Sequence, residues 1–143
     1  MDIELDGVWR LVDSRAWDEH GNVRPKPYGT NPTGMLMFSR GRMIAALCNG
    51  DQPLEADLPR GYSSYGGTYV FDGKTLTTTV DISAEPGRLN GQQVRGVVVL
   101  GPDRIILQPP VRKYTHNGQV ERRELLWERV ARGDAQQPPA GSW

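Results

Sequence analysis

The sequence predicts an all-β domain, an eight-stranded antiparallel up-and-down β-barrel. Short runs rich in valine, isoleucine, threonine and tyrosine recur along the 143 residues, and these residue types fit a pleated strand better than a helix. The 17 glycines and 11 prolines lie mainly between those runs and mark turns. Because 37% of the residues are hydrophobic, the chain can still form a core, so the turn residues do not indicate disorder.

The first predicted strand spans residues 7–17, and the later strands must close the barrel against it. No apolar stripe at helical spacing is present, and Gly7 would weaken the start of a helix. Alternation with period 2 places five residues on one face of the strand: Trp9, Leu11, Asp13, Arg15 and Trp17.

A loop with three prolines extends to Pro32, and seven more strands follow it. Gly41 and the dipeptide Asp72-Gly73 are typical of tight hairpin turns. Residues 49–64 read as a long connection, with a helical turn near residues 54–57 and a tip that covers the barrel mouth as a lid. The seven strands are predicted at residues 35–39, 42–48, 67–72, 74–82, 92–100, 104–108 and 120–130.

The length fits one domain, with the barrel at residues 1–131 and a flexible tail at residues 132–143. The tail is rich in glycine, proline, glutamine and alanine and has little apolar surface to bury.

Charge and composition argue against several classes of partner. The chain has 17 basic and 17 acidic residues and a pI of about 6.7, so no net field attracts nucleic acid or an anionic membrane. No apolar run approaches the ~20 residues of a membrane span, and the start of the chain does not resemble a signal peptide. The single cysteine, Cys48, cannot form an internal disulfide. We therefore expect a cytoplasmic protein with neither nucleic acid nor membrane as partner.

Five segments resemble the bacterial and fungal lipocalin-like domain family, whose small barrels are of the calycin type and mostly of undefined function. The likeness covers residues 6–130. It implies that Trp9 packs at the closed base, that Arg129 lies across its ring, and that Gly7 and Trp127 complete the closure. Relatives often carry histidine where this chain has Thr77-Thr78-Thr79, so histidine chemistry is not expected. The segments are Gly7–Val12, Pro32–Met37, Tyr65–Tyr69, Pro86–Gly91 followed by Gln93–Arg95, and Leu125–Arg129.

If Trp9 and Trp127 face the interior, period 2 turns Asp13, Arg15, Glu121 and Arg123 inward near Trp17. Buried charges of this kind pair with one another, contact water at the mouth or meet a polar ligand. The alternative is a set of ion pairs at the rim with no role in binding.

Two further residues have two interpretations each. An inward Arg95 would be the best single anchor for an anion, whereas an outward Arg95 would only face solvent. Tyr69 could contact a ligand or pack as an aromatic core residue. The predicted ligand-binding residues are thus Asp13, Arg15, Trp17, Tyr69, Arg95 and Arg123.

No catalytic set is apparent in the sequence, because His20 and His116 both lie in predicted turns. No cofactor and no metal site are expected, and Gly66-Gly67 precedes a strand rather than a helix that could bind phosphate. We predict a barrel that binds a small, partly hydrophobic, anionic molecule in its interior.

Two alternatives stay open. The first is a cofactor-independent isomerase or cyclase of a natural-product pathway, in which Asp13, Arg15, Arg95 or a tyrosine moves protons. The second is a homodimeric interaction protein whose barrel is packed shut by its own side chains.

Overall fold

The computed structural model describes residues 3–52, 60–114 and 118–133. Within them are ten β-strands and a single 3-10 turn at Pro86–Arg88. No helix in these residues is long and apolar enough to cross a membrane. The strands are β1 (Gly7–Asp18), β2 (Val23–Arg24), β3 (Pro32–Ser39), β4 (Arg42–Asn49), β5 (Ser63–Phe71), β6 (Thr75–Ser83), β7 (Gln92–Gly101), β8 (Arg104–Gln108), β9 (Arg112–Lys113) and β10 (Val120–Arg132).

Eight of these strands form a closed antiparallel barrel, which confirms the predicted fold class. The strands β1 and β3 to β8 pair in chain order, then β8 pairs with β10, and β10 pairs with β1 to close the barrel. The two-residue strands β2 and β9 pair with the end of β1 and the start of β10. They were not predicted, because two residues are too short to show alternation.

Some predicted features fall outside the part of the chain that the structure describes. The helical turn and lid tip expected near residues 54–57 lie there, as do His116 and residues 134–143 of the predicted tail. The barrel itself continues to Arg132, which pairs with Gly7.

The core fills the closed end of the barrel, where the start of β1 meets the end of β10. Alternate residues of each strand point inward, as expected for a small barrel whose interior is filled by side chains. The largest fully buried side chains are those of Trp9, Trp127, Phe38, Leu11, Leu36, Leu76 and Ile105.

A β-bulge in β1 overturns the predicted orientation of three residues. Leu11 pairs with Trp127 of β10, but Asp13 pairs with the next residue, Leu126, so β1 has one extra residue at this point. The extra residue shifts the alternation by one position. The prediction that Asp13, Arg15 and Trp17 face the interior is therefore wrong.

Ser14 and Ala16 occupy the inward positions beyond the bulge, and each is 1% exposed. The Ser14 hydroxyl accepts a hydrogen bond of 3.1 Å from the backbone N–H of Tyr28. This bond ties the proline-rich loop between β2 and β3 to the inside of the barrel. The small inward side chains of β1 thus leave room at the open end, where the loop delivers Tyr28.

The closed end of the barrel depends on Gly7. Its φ is +127°, a conformation that side chains with a Cβ rarely adopt. A Cβ atom at this position would collide with the carbonyl oxygen of Ala131 and would lie 3.1 Å from Cδ of Arg129. The absence of a side chain at Gly7 therefore lets β1 and β10 meet closely beneath the core.

Candidate functional site

A cavity of about 250 Å³ opens at the end of the barrel opposite Gly7. Its deeper wall is apolar and comes from β3, β4, β8 and β10: the lining residues there are Leu36, Ala45, Leu47, Leu107, Leu125 and Trp127. An outer vestibule of about 340 Å³ adjoins it. The cavity and vestibule share six lining residues, which we call the collar: Tyr28, Ser63, Arg88, Arg112, Tyr114 and Arg123.

The polar part of the cavity wall is basic. Four arginines line the cavity, Arg88, Arg95, Arg112 and Arg123, and no aspartate or glutamate is among its described lining residues. The chain as a whole has no net charge, so positive charge is concentrated on the described lining of this cavity. A concave site with charge of one sign attracts ligands of the opposite sign.

On one side of the cavity, Tyr65 of β5 lies between two of these arginines in space. The guanidinium carbon of Arg88 is 5.4 Å from the centre of the Tyr65 ring, and that of Arg95 is 5.7 Å from it. Both distances are within the range of a cation–π interaction. The ring thus helps to hold both guanidinium groups at the cavity wall.

A second group of the same composition stands at the β9–β10 side. The guanidinium carbon of Arg112 is 4.5 Å from the centre of the Tyr114 ring, and that of Arg123 is 3.4 Å from it. Each tyrosine therefore contacts two arginines, and all four arginines face the same cavity.

Two of the four arginines have a carboxylate partner. Arg123 binds the buried Glu121 with an N–O distance of 2.9 Å, and Arg88 lies 3.5 Å from Glu85. Glu121 also lies 3.8 Å from Arg24. These pairs neutralise part of the charge, and burial of Glu121 and Arg123 without each other would be costly.

The other two arginines have no carboxylate within 4 Å among the described residues. Arg95 donates hydrogen bonds of 3.1 Å to the side-chain oxygen of Gln93 and 2.9 Å to the carbonyl of Val94. Arg112 stacks on Tyr114 and forms no ion pair with any described residue. Arg95 and Arg112 are thus the two arginines of the cavity whose charge no carboxylate of the described chain balances.

Tyr28 brings a neutral hydrogen-bond donor to the collar. Burial raises the pKa of its phenol, although the nearby positive charge of Arg123 acts in the opposite direction. The hydroxyl therefore keeps its proton at neutral pH and can donate to an acceptor in the cavity.

The structure brings together two of the six predicted ligand-binding residues. Arg95 and Arg123 line the cavity, and Trp127, predicted for barrel closure, forms part of its deeper wall. Arg95 faces inward because Val97, two residues further along β7, is buried in the core and shares its face. The role of these residues in binding stays a prediction.

The residues beyond the bulge make contacts outside the cavity. Asp13 accepts a hydrogen bond of 2.7 Å from Lys26, Arg15 lies 3.6 Å from Glu124, and Trp17 stacks with Arg122 at 4.1 Å. Burial raises the pKa of Asp13, but hydrogen bonds from Lys26 and the Ser14 N–H outweigh it and keep this pKa below its usual value. Asp13 is therefore an ionised carboxylate in an outer ion pair.

Tyr69 does not line the cavity either. Its ring meets Phe38 edge-on, with the ring centres 5.0 Å apart, and its hydroxyl donates a hydrogen bond of 3.2 Å to Asp6. It lies four positions after Tyr65 in β5, which places it about 13 Å nearer the closed end. Of its two predicted roles, aromatic packing is the one that fits this position.

Sequence reasoning did not select Arg88, Arg112 or Tyr114, and it did not consider Tyr28. All four lie in loops, in the 3-10 turn or in the short strand β9, where no alternation shows which way a side chain points. One signal was available: Arg112 and Tyr114 are separated by one residue after the breaker Pro109-Pro110. That spacing matches a short strand with both side chains on one face.

The described residues show no grouping typical of a metal site. No three His, Cys, Asp or Glu side chains are placed so that they could hold a metal ion in this part of the chain. His20 is exposed in a turn, 3.6 Å from Glu19.

A search of curated proteins returned no significant match. Among solved structures, the chain is similar to the crystal structure of an uncharacterized protein from Bacteroides eggerthii DSM 20697. The two are 13% identical with a TM-score of 0.46, and the similarity covers 88% of this chain and 99% of the other. The profile of the lipocalin-like domain family matches residues 6–130. This chain is a member of the lipocalin-like domain family.

Proposed function

We propose that this barrel binds a small amphipathic anion, with the apolar body of the ligand in the cavity and its anionic group against Arg95. The deeper wall, from Leu36 to Trp127, offers apolar contact. The arginines of the collar and Arg95 offer charge-assisted hydrogen bonds to a carboxylate or a similar group.

The position of Arg95 is the observation that carries this proposal. Its guanidinium faces the cavity, and its hydrogen-bond partners in the described chain, Gln93 and Val94, are neutral. A positive charge in a partly enclosed site is stabilised by an anion, and a ligand can supply one. Arg123 is a weaker candidate, because it already forms a salt bridge with Glu121 at an N–O distance of 2.9 Å.

The isomerase or cyclase alternative loses two of its proposed proton-moving groups, because Asp13 and Arg15 lie outside the cavity. Arg95 and three tyrosines line the cavity, and this alternative stays a prediction from the sequence. The interaction-protein alternative requires a barrel packed shut, whereas this barrel has a cavity of about 250 Å³. The homodimer and the cytoplasmic location stay predictions from the sequence.

Calorimetric titration with octanoate and with the uncharged 1-octanol tests the proposal. Octanoate should bind the wild-type protein clearly more tightly than octanol, because only the carboxylate meets Arg95. The variant Arg95→Met keeps most of the apolar stem and should weaken octanoate binding by about 1.5–3 kcal/mol, which is about ten- to a hundredfold. Its affinity for octanol should not change.

Arg15→Met is the matched control, since Arg15 is an exposed arginine on the outer face. It should bind octanoate like the wild type. If octanoate and octanol bind equally, or if Arg95→Met has no effect, the anion-binding proposal is wrong.

A further inference from the structure

We infer that the preferred ligand carries a dianionic headgroup, of which a phosphate monoester is the simplest kind, rather than a single negative charge. This inference rests on the proposed function and concerns the charge of the same ligand.

Its basis is the number of positive charges at the cavity that have no carboxylate partner among the described residues. In each group of one tyrosine and two arginines, one arginine has a carboxylate neighbour and the other has none. Arg88 lies near Glu85 and Arg123 near Glu121. Arg95 and Arg112 have no carboxylate within 4 Å in the described chain. A monoanion bound at Arg95 would leave the charge of Arg112 facing the cavity. A dianion would balance both charges.

The strand register places these two arginines on the same side of the cavity. Gly96 of β7 pairs with Gln108, the last residue of β8, so Arg95 lies beside the point where β8 ends. Arg112 begins β9, which follows β8 after residues 109–111. Leu107 pairs with Leu125 of β10 and Arg112 pairs with Glu121, so Arg112 lies about 13 Å further toward the mouth than Leu107. Both guanidinium groups line the same cavity.

The geometry of a phosphate suits this pair of side chains. A guanidinium can donate two parallel hydrogen bonds to two oxygens of one phosphate, and a phosphate monoester has three terminal oxygens to accept them. The hydroxyl of Tyr28 adds a neutral donor at the collar. The apolar part of such a ligand would extend toward Leu107 and Trp127, as in the proposed function.

Titration with octyl phosphate and octyl sulfate at pH 8 tests the inference. The two probes have the same tail and a tetrahedral headgroup, but the phosphate carries close to two negative charges at this pH and the sulfate only one. Wild-type protein should bind octyl phosphate at least about tenfold more tightly than octyl sulfate, a preference of ~1.4 kcal/mol. Arg112→Met should reduce this preference to about twofold or less, while its affinity for octyl sulfate stays close to that of the wild type.

Lys113→Met is the matched control. Lys113 is adjacent to Arg112 in β9 and lines the vestibule but not the cavity. Its replacement removes the same charge from the same region. Because Lys113 does not line the cavity, the replacement should leave the phosphate preference intact. An equal loss in Lys113→Met and Arg112→Met would show a general field effect and overturn the inference.

The two proposals fail in different ways. Wild-type protein could bind octyl phosphate, octyl sulfate and octanoate with affinities that differ by less than twofold. In that case the site binds anions but does not distinguish a dianion from a monoanion, and only the dianion inference is wrong. If none of the three probes binds, the anion-binding function and the inference both fail.

Discussion

The guanidinium carbon of Arg129 lies 4.4 Å from the centre of the Trp9 ring, at the closed end of the barrel. The same arginine donates hydrogen bonds to the carbonyls of Glu4, Asp6 and Pro102. Trp9 in turn donates from its indole N–H to the carbonyl of Leu5 at 2.9 Å. One tryptophan and one arginine thus connect the N-terminal segment, β1, the β7–β8 turn and β10.

Replacement of Trp9 by alanine should lower the free energy of unfolding by about 3–5 kcal/mol, because it opens a cavity in the core. The side chain is fully buried, and the loss also removes the ring on which Arg129 stacks. Urea denaturation measures the effect. The control is Trp17→Ala on the outer face, with an expected cost of about 1 kcal/mol or less; equal costs for the two variants would contradict the assigned roles.

Gly7→Ala should destabilise the protein even though it adds a single methyl group. A side chain in this backbone conformation lowers the free energy of unfolding by about 1–3 kcal/mol. The collision of the Cβ atom with the carbonyl oxygen of Ala131 adds to this cost. Gly87→Ala is the control, because a Cβ there meets no atom within 4 Å and the residue has no positive φ. A melting temperature for Gly7→Ala equal to that of Gly87→Ala would disprove the close approach of β1 and β10.

Thr78→Val should stabilise the protein. Thr78 is 1% exposed, and its hydroxyl has no hydrogen-bond partner among the described residues. A buried hydroxyl without a partner costs about 1–3 kcal/mol, and valine has nearly the same shape, so a gain of about 1 kcal/mol is expected. Thr79→Val, on the exposed face of β6, should change stability by less than about 0.5 kcal/mol. A loss of stability in Thr78→Val would mean that the hydroxyl has a partner.

The phenol of Tyr69 should titrate late. Burial, together with the negative charge of Asp6, raises its pKa to about 12. An unfolded tyrosine loses its proton near pH 10, so the folded state binds this proton more tightly. The contribution of Tyr69 to stability is therefore fully present below about pH 10 and is lost as the pH rises toward 12.

Ultraviolet titration of tyrosinate absorbance in the folded protein checks this prediction. The variant Tyr69→Phe should lack one group that ionises at about pH 12, and it should lose less stability than the wild type between pH 10 and 12. An unchanged titration curve in Tyr69→Phe would contradict it.

Local patterns were sufficient to predict the eight longer strands, since alternation and turn residues are properties of short segments. The hairpin at Gly41 was predicted from its turn chemistry, and Gly41 has a φ of +78°. The resemblance to the lipocalin-like domain family implied that Trp9 and Trp127 face the interior, and both side chains are buried in the core.

The tertiary structure decided the composition of the site. The extra residue between Leu11 and Asp13 exists only as a mismatch with the partner strand β10, and it turned Asp13, Arg15 and Trp17 away from the cavity. One signal for it was present in the sequence: continued alternation would have buried Asp13 and Arg15, whereas a shift buries Ser14 and Ala16 instead.

The collar likewise depends on distant parts of the chain. Tyr28, Arg88 and Arg112 come from three separate connections and meet only because the barrel closes. Periodicity shows which face of a strand a residue occupies, but it does not show where a loop returns across the mouth. The sequence by itself therefore determined the barrel and its apolar core, and the closure of the barrel decided which charges face the ligand cavity.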